Sequence, residues 1–339
     1  MHLVVKAFRT IFVEGRFTYL FATIIVVVMR LLLFINKGMP ETSLQNDNYL
    51  WFLISDLLSN LQVSFTASTI SIFIIAWVIS IINNRFGIIR ARTNLPFIIP
   101  IFLLSLHPYF LIMSGDYVAV VFILFAFIPL LESYQKPDSY LYSFRSSILI
   151  ATASLFNFYA ITIIPLLWRG EKVMRGPQLR SLLSSLFGLL LVYVSVFSVF
   201  FMIDDLPRFL MPFNSLLDIS LPNIPDYTIF EWVFVAFVLL FFVINMVFSI
   251  KTYGRDKVLT LNFMQFIVFL IVFLLLLQVL YWNQTLFFLT LSVTLISFLI
   301  AYFNTKTTSR NHIYFAYIMI FFMMIIYLAH LFPQISYLY

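Results

Sequence analysis

Long apolar runs separated by short polar breaks fill the chain. A helix needs about 20 apolar residues to cross the hydrocarbon of a bilayer. Runs of that length lie at 17–36, 61–83, 96–113, 116–133, 182–202, 229–250, 261–281, 284–303 and 312–331. They predict nine full transmembrane helices in an all-α, polytopic membrane bundle. Residues 1–16, MHLVVKAFRTIFVEGR, form a basic, amphipathic start. No small-residue cleavage site follows the first run, so the pattern predicts a retained span rather than a removed signal peptide.

A tenth apolar stretch, 147–167, is set apart by its flanks. Excess Lys and Arg mark cytoplasmic loops. With the N-terminus in the cytoplasm, 17 of the 20 basic residues fall on that side, the exceptions being Arg30, Lys37 and Arg208. Both flanks of 147–167 are then cytoplasmic, at Lys136 and Arg145 before it and Arg169, Lys172, Arg175 and Arg180 after it. Two full crossings would take about 40 residues. The expectation is therefore a re-entrant pair of short helices turning near Asn157, giving about 11 membrane segments and an outer C-terminus. Irregular backbone at that depth is tolerated where it lines a cavity, which places Asn157 and Tyr159 on a cavity wall. The alternative is one ordinary span.

Composition agrees with the pattern. The chain of 339 residues is 63% hydrophobic and 10% charged, against roughly 45–50% and 25% in soluble domains. That excludes a cytosolic enzyme, a nucleic-acid-binding domain and a disordered chain. With no cysteine there is no disulfide or thiolate metal site. The net charge of +6 reads as loop charge rather than nucleic-acid affinity. One membrane domain, 1–339, is expected. Its longest outer segments are 37–60, with an interfacial helix within DNYLWFLISDLLSN, and 203–228, a proline-rich loop.

Candidate chemistry is confined to scattered polar residues. No nucleotide-binding, zinc-hydrolase or serine-hydrolase motif is present. The four histidines are dispersed, so no metal or other cofactor is predicted. Arg30 lies inside the first run, where a charge normally needs a partner or water. It either snorkels to outer headgroups or clamps a phosphate or carboxylate, with Lys37 and Arg208 as the other outer cations. Asp47 and Asp56 flank the interfacial stretch. Nine residues apart, they point to opposite sides of a helix, and each is either a general base or a solvated carboxylate. Asp116, in SGDY, is either a site acid or a favourable charge at a helix start. His107 before Pro108 is a helix-end hydrogen bonder or a polar contact of the outer cavity.

The run SLHPYFLIMSGDYVAVVFILFAFIPLLESY, a basic turn, and then SILIATASLFNFYAITIIPLLWRGEK resemble the central section of GT-C-type membrane glycosyltransferases and their polymerase relatives. The likeness covers about residues 10–200 and is one of layout. The chain is also similar to a family of bacterial multi-pass membrane proteins of comparable length. In GT-C enzymes a first-loop acid deprotonates the acceptor and cations stabilise the departing polyprenyl phosphate. The resemblance implies Asp47, Asp56 or Asp116 as the acid, Arg30, Lys37 and Arg208 as headgroup binders, a polyprenyl-phosphate-linked donor, and a bacterial inner membrane. The acidic doublet of many members is absent from QNDNYLWF. A non-catalytic subunit or assembly factor bound to other envelope membrane proteins is therefore the alternative, and a lipid or anion transporter the third reading.

Overall fold

In the computed structural model, residues 10, 13, 15, 17–37, 48–136, 140–220, 229–254, 256–306 and 310–332 are described. Every extended element among them is helical: α1 (Thr18–Lys37), α2 (Trp51–Ser55), α3 (Leu61–Phe86), α4 (Leu95–Leu103), α5 (Gly115–Glu132), α6 (Tyr140–Phe156), α7 (Ile164–Arg175), α8 (Leu179–Met202), α9 (Leu206–Ser215), α10 (Ile229–Tyr253), α11 (Val258–Leu280), α12 (Thr285–Lys306) and α13 (Arg310–Leu331). Seven helices are long and apolar enough to cross a membrane, namely α1, α3, α5, α8, α11, α12 with the turn before it, and α13. The chain is an integral, multi-pass membrane protein.

Helix α12 is the axis of the bundle. Its residues from Phe287 to Thr305 are all buried, as expected of a helix apolar on every side. Several of its hydroxyls turn back onto the helix, Thr290 donating to the carbonyl of Leu286 and Thr294 to that of Thr290. Helices α1 and α8 instead expose apolar faces, including Leu20, Ile24, Leu31, Leu183, Leu190 and Phe197. Such faces suit lipid.

Two expected elements differ. Residues 96–113 do not form one continuous helix. Helix α4 stops at Leu103, and the chain continues through a turn, a 3-10 stretch at Pro108–Leu111 and extended backbone to Ser114. Pro100 within α4 and Pro108 beyond it each withhold a backbone donor. The carbonyl of Leu104, four residues before Pro108, finds another donor, described with the site. The expected pair at 147–167 is a longer pair of arms, α6 and then a 3-10 turn at Phe158–Ile163 leading into α7. The lower arm of α6 escapes an apolar window because it carries buried serines. Ser146 donates to the carbonyl of Ala126 on α5, and Ser143 accepts from Arg175 at the far end of α7. The contact of Ser143 with Arg175 shows the chain doubling back. The run at 229–250 lies within α10.

Short contacts fix which loops share an end. Arg85 pairs with Glu132, joining the last turns of α3 and α5. Asn262 near the start of α11 donates 3.0 Å to the carbonyl of Val173 near the end of α7. Lys306 at the end of α12 meets Asp256 at 2.7 Å. These basic breaks thus gather at one end. At the opposite end the amide of Leu50 donates 2.9 Å to the carbonyl of Leu155 at the top of α6, and Tyr49 donates 2.6 Å to the carbonyl of Phe209 on α9.

Candidate functional site

The end opposite the basic breaks carries the most distinctive polar cluster, built where three segments meet. Helix α5 begins at Gly115 after Ser114. A Cβ on Gly115 would collide with the carbonyl oxygen of Phe156. Glycine therefore lets the start of α5 press against the top of α6. Asn157 follows directly, in extended conformation, and its Oδ1 accepts from the amide of Tyr159 at 2.9 Å, capping the 3-10 turn. Its Nδ2 donates 2.5 Å to Oδ1 of Asp116. Ser114 Oγ donates 2.9 Å to the other carboxylate oxygen. Asp116 is half-buried. Held at both oxygens, it has a fixed orientation and still keeps lone pairs for a further proton. Its place in the first turn of α5 also suits a negative charge.

The segment that leads into α2 closes on the same point. Asn48 Oδ1 accepts from the amide of Phe158 at 3.0 Å, and Trp51 is buried against Gly115. Asn48, Trp51 and Ser114 were not foreseen from the sequence. The available signal was NDNYLW, in which a polar pair precedes aromatics. Helix α9 covers the neighbouring surface over an aromatic nest of Tyr49, Phe158, Tyr193 and Phe213. Burial, then the nearby phenol of Tyr193, pushes Tyr49 above its ordinary range, so it stays a neutral donor.

The other expected site residues fall elsewhere. Asp47 lies outside the described residues, as does the side chain of Lys37. Asp56 is exposed, in the 3-10 turn after α2. Arg208 lies with its guanidinium carbon 3.8 Å from the centre of the Phe52 ring, tying α9 to α2. Tyr159 is buried, and its hydroxyl donates 2.9 Å to the carbonyl of Ser215. His107 is buried, its Nδ1 accepting from the amide of Tyr109 at 3.2 Å and its ring 4.5 Å from that of His330. No group of three metal-ligating side chains occurs among the described residues.

Arg30 lies inside the bundle. Its side chain is wholly buried. Nη1 donates to the carbonyl of Leu104 at 3.3 Å, and Nη2 to that of Phe110 at 2.9 Å and to Ser68 Oγ at 2.8 Å. Nε donates to Thr69 Oγ1 at 3.0 Å. Ser68 in turn donates to the carbonyl of Leu111, and Tyr117 to that of Phe110. The guanidinium faces the carbonyls that the break in 96–113 leaves without helical partners. Its hydrogen bonds within the protein go to two backbone carbonyls and two side-chain hydroxyls.

No protein-family model, no curated protein and no solved structure matches this chain.

Proposed function

We propose that the protein is a GT-C-type glycosyltransferase or glycan polymerase that takes its sugar from a polyprenyl-phosphate carrier, with Asp116 as the base that deprotonates the acceptor hydroxyl. The observation that carries this reading is the carboxylate of Asp116, oriented by Asn157 and Ser114 where the first loop, α5 and the α6–α7 pair converge. A fixed, half-buried acid at a membrane surface suits proton abstraction from a hydroxyl brought to it. The same reading sets the basic end in the cytoplasm of a bacterial inner membrane, following the positive-inside rule. The segments α1, α3, α4 with 104–114, α5, α6, α7, α8, α10, α11, α12 and α13 then make 11 membrane passages from an inner N-terminus to an outer C-terminus.

One observation favours a second reading, a non-catalytic envelope subunit. Among the described residues no Lys or Arg contacts Asp116. Arg30 bonds two carbonyls and two hydroxyls inside the bundle, and Arg208 lies over Phe52. Phosphate stabilisation would then fall to residues outside the described set.

Native mass spectrometry of the protein purified in mild detergent separates the two. A co-purifying polyprenyl phosphate is expected for the enzyme. Bulk phospholipid alone, together with a stoichiometric protein partner, would favour the subunit.

A further inference from the structure

Helix α7 packs closely on α11, which fixes the depth of its side chains. A Cβ on Gly170 would collide with the ring of Phe266, and nearer the basic end Asn262 donates 3.0 Å to the carbonyl of Val173. Helix α11 is long and apolar enough to cross a membrane. Phe266 stands eight residues beyond its start at Val258, about 12 Å along the helix. On the other side of α7, the indole of Trp168 donates 2.7 Å to Ser185 Oγ, six residues beyond the start of the spanning helix α8. Both neighbours put Arg169 well inside the span.

The side chain of Arg169 does not return to the basic end. Its guanidinium carbon lies 5.5 Å from the centre of the Phe269 ring, about one turn beyond Phe266 and in the middle of α11. Long side chains lean toward the N-terminus of their own helix, and that end of α7 points away from the basic breaks. Arg169 and Phe269 are both exposed, as are Gln265, Val272 and Leu276 on the same face of α11. Among the described residues no carboxylate pairs with Arg169. Glu171, on the buried side of α7, pairs with Arg175 at 3.1 Å. Cations at such depth normally turn inward to a partner or to water. Arg169 faces outward, so its counter-charge has to come from outside the chain.

A lipid phosphate sits outside the hydrocarbon, which is about 30 Å thick, and is too shallow for a group beside the middle of α11. A second copy of this chain lacks the acid. Helices α1, α3, α6, α8, α11, α12 and α13 contain no Asp or Glu, and α5 and α10 carry theirs in end turns. A helix of a different membrane protein can set a carboxylate at that level, where a guanidinium meets it through two parallel hydrogen bonds. We propose that the face formed by α7 and α11 docks a transmembrane helix of another protein, with an Asp or Glu of that helix paired to Arg169 and its apolar side chains laid over Phe269, Val272 and Leu276. Polar contacts of this kind help hold membrane helices together, because apolar burial supplies no drive between them in lipid. The site is separate from the Asp116 cluster and does not depend on the enzyme reading.

The test places the full, labelled chain in phosphatidylcholine vesicles with a fluorescent Leu/Ala helix of about 22 residues that carries one central Glu, and reads binding by energy transfer. The control helix carries Gln instead. The wild type is expected to bind the Glu helix about tenfold more tightly than the Gln helix, the scale of one strong polar contact between membrane helices. Arg169→Ala should abolish that preference. Arg92→Ala, which removes an exposed charge from the loop after α3, should leave it intact. Equal affinity for the two helices, a preference that survives Arg169→Ala, or an equal loss in Arg92→Ala would overturn the proposal. So would a preference that disappears in vesicles of phosphatidylglycerol, because Arg169 would then belong to a lipid phosphate. Should Arg169→Ala not fold, Val272→Trp obstructs the face without changing charge. It is expected to weaken binding of the Glu helix, and unaltered affinity would again overturn the site.

Discussion

The guanidinium of Arg30 donates to the carbonyl oxygen of Phe110 across 2.9 Å, joining α1 to the short 3-10 stretch at Pro108–Leu111. A backbone carbonyl in the interior of a membrane protein has no water to turn to, and leaving one unpaired costs about 1–3 kcal/mol. Arg30 serves two such carbonyls together with two hydroxyls. Replacing it with Ala should therefore cost about 3 kcal/mol or more. Lys should restore part of that, because an ammonium lacks the planar fork. Thermal unfolding in detergent would show the order wild type, Arg30→Lys, Arg30→Ala. An unchanged midpoint for Arg30→Ala would contradict the assignment.

Asn157 carries two loads at once, capping the turn through Oδ1 and holding Asp116 through Nδ2. Losing the cap should cost about 1 kcal/mol. Losing the orientation of the carboxylate should cost far more in activity. Asn157→Ala is thus expected to unfold a few degrees lower while sugar transfer falls by about a hundredfold, the scale of a misplaced catalytic group. Comparable losses in stability and activity from Asn157→Asp would indicate that the amide has no separate role in orienting Asp116.

Gly115 presents backbone where any Cβ would strike the carbonyl of Phe156. The obstruction is main chain rather than the end of a flexible side chain, so relief means moving α5 away from α6. Gly115→Ala should destabilise by about 1–3 kcal/mol and weaken the contact between Asp116 and Asn157. Gly87, with no atom near its Cβ position but a φ of +56°, is a comparison in which the strain is conformational instead.

Stability should also depend on acid at the basic end. Burial raises the carboxyl of Asp256, but hydrogen bonds from Lys306 and Tyr302 and the charges of Lys306 and Arg90 outweigh it, so the group sits below its ordinary value of 3.8. A carboxyl depressed in the folded state contributes stability that is fully present above its unfolded pKa and lost as pH falls through the folded one. The melting midpoint should thus be insensitive to this group at pH 6–7 and fall below about pH 4. Lys306→Ala should lower the midpoint at neutral pH and flatten the acid limb. An acid limb identical to the wild type would show that the pair with Lys306 does not set it.

Much of the architecture was readable because hydrocarbon demands long apolar helices, and those at 61–83, 182–202, 261–281 and 312–331 coincide with α3, α8, α11 and α13. The break at 96–113 was marked by Pro100 and Pro108 but outvoted by hydropathy, since a window counts apolarity and not missing donors. Its compensation was also in view: Ser64, Ser68 and Ser71 form a small polar stripe on α3, and Ser64 Oγ accepts from the amide of Met113. What no window could give is pairing across distance. Whether Arg30 met a headgroup or Phe110, and whether Asp116 met Asn157, depended on how separated segments pack. Asp116 and Asn157 were each singled out from the sequence, but their contact was not.

The most direct test of the central claim is donor turnover in proteoliposomes supplied with a polyprenyl-phosphate-linked sugar and a hydroxyl acceptor. The wild type should release polyprenyl phosphate, Asp116→Asn should release about a thousandfold less while melting within a few degrees of the wild type, and Asp56→Asn should remain active. Release by Asp116→Asn at the wild-type rate, or no release by a folded wild type, would contradict the assignment of Asp116 as the base of a glycosyl transfer.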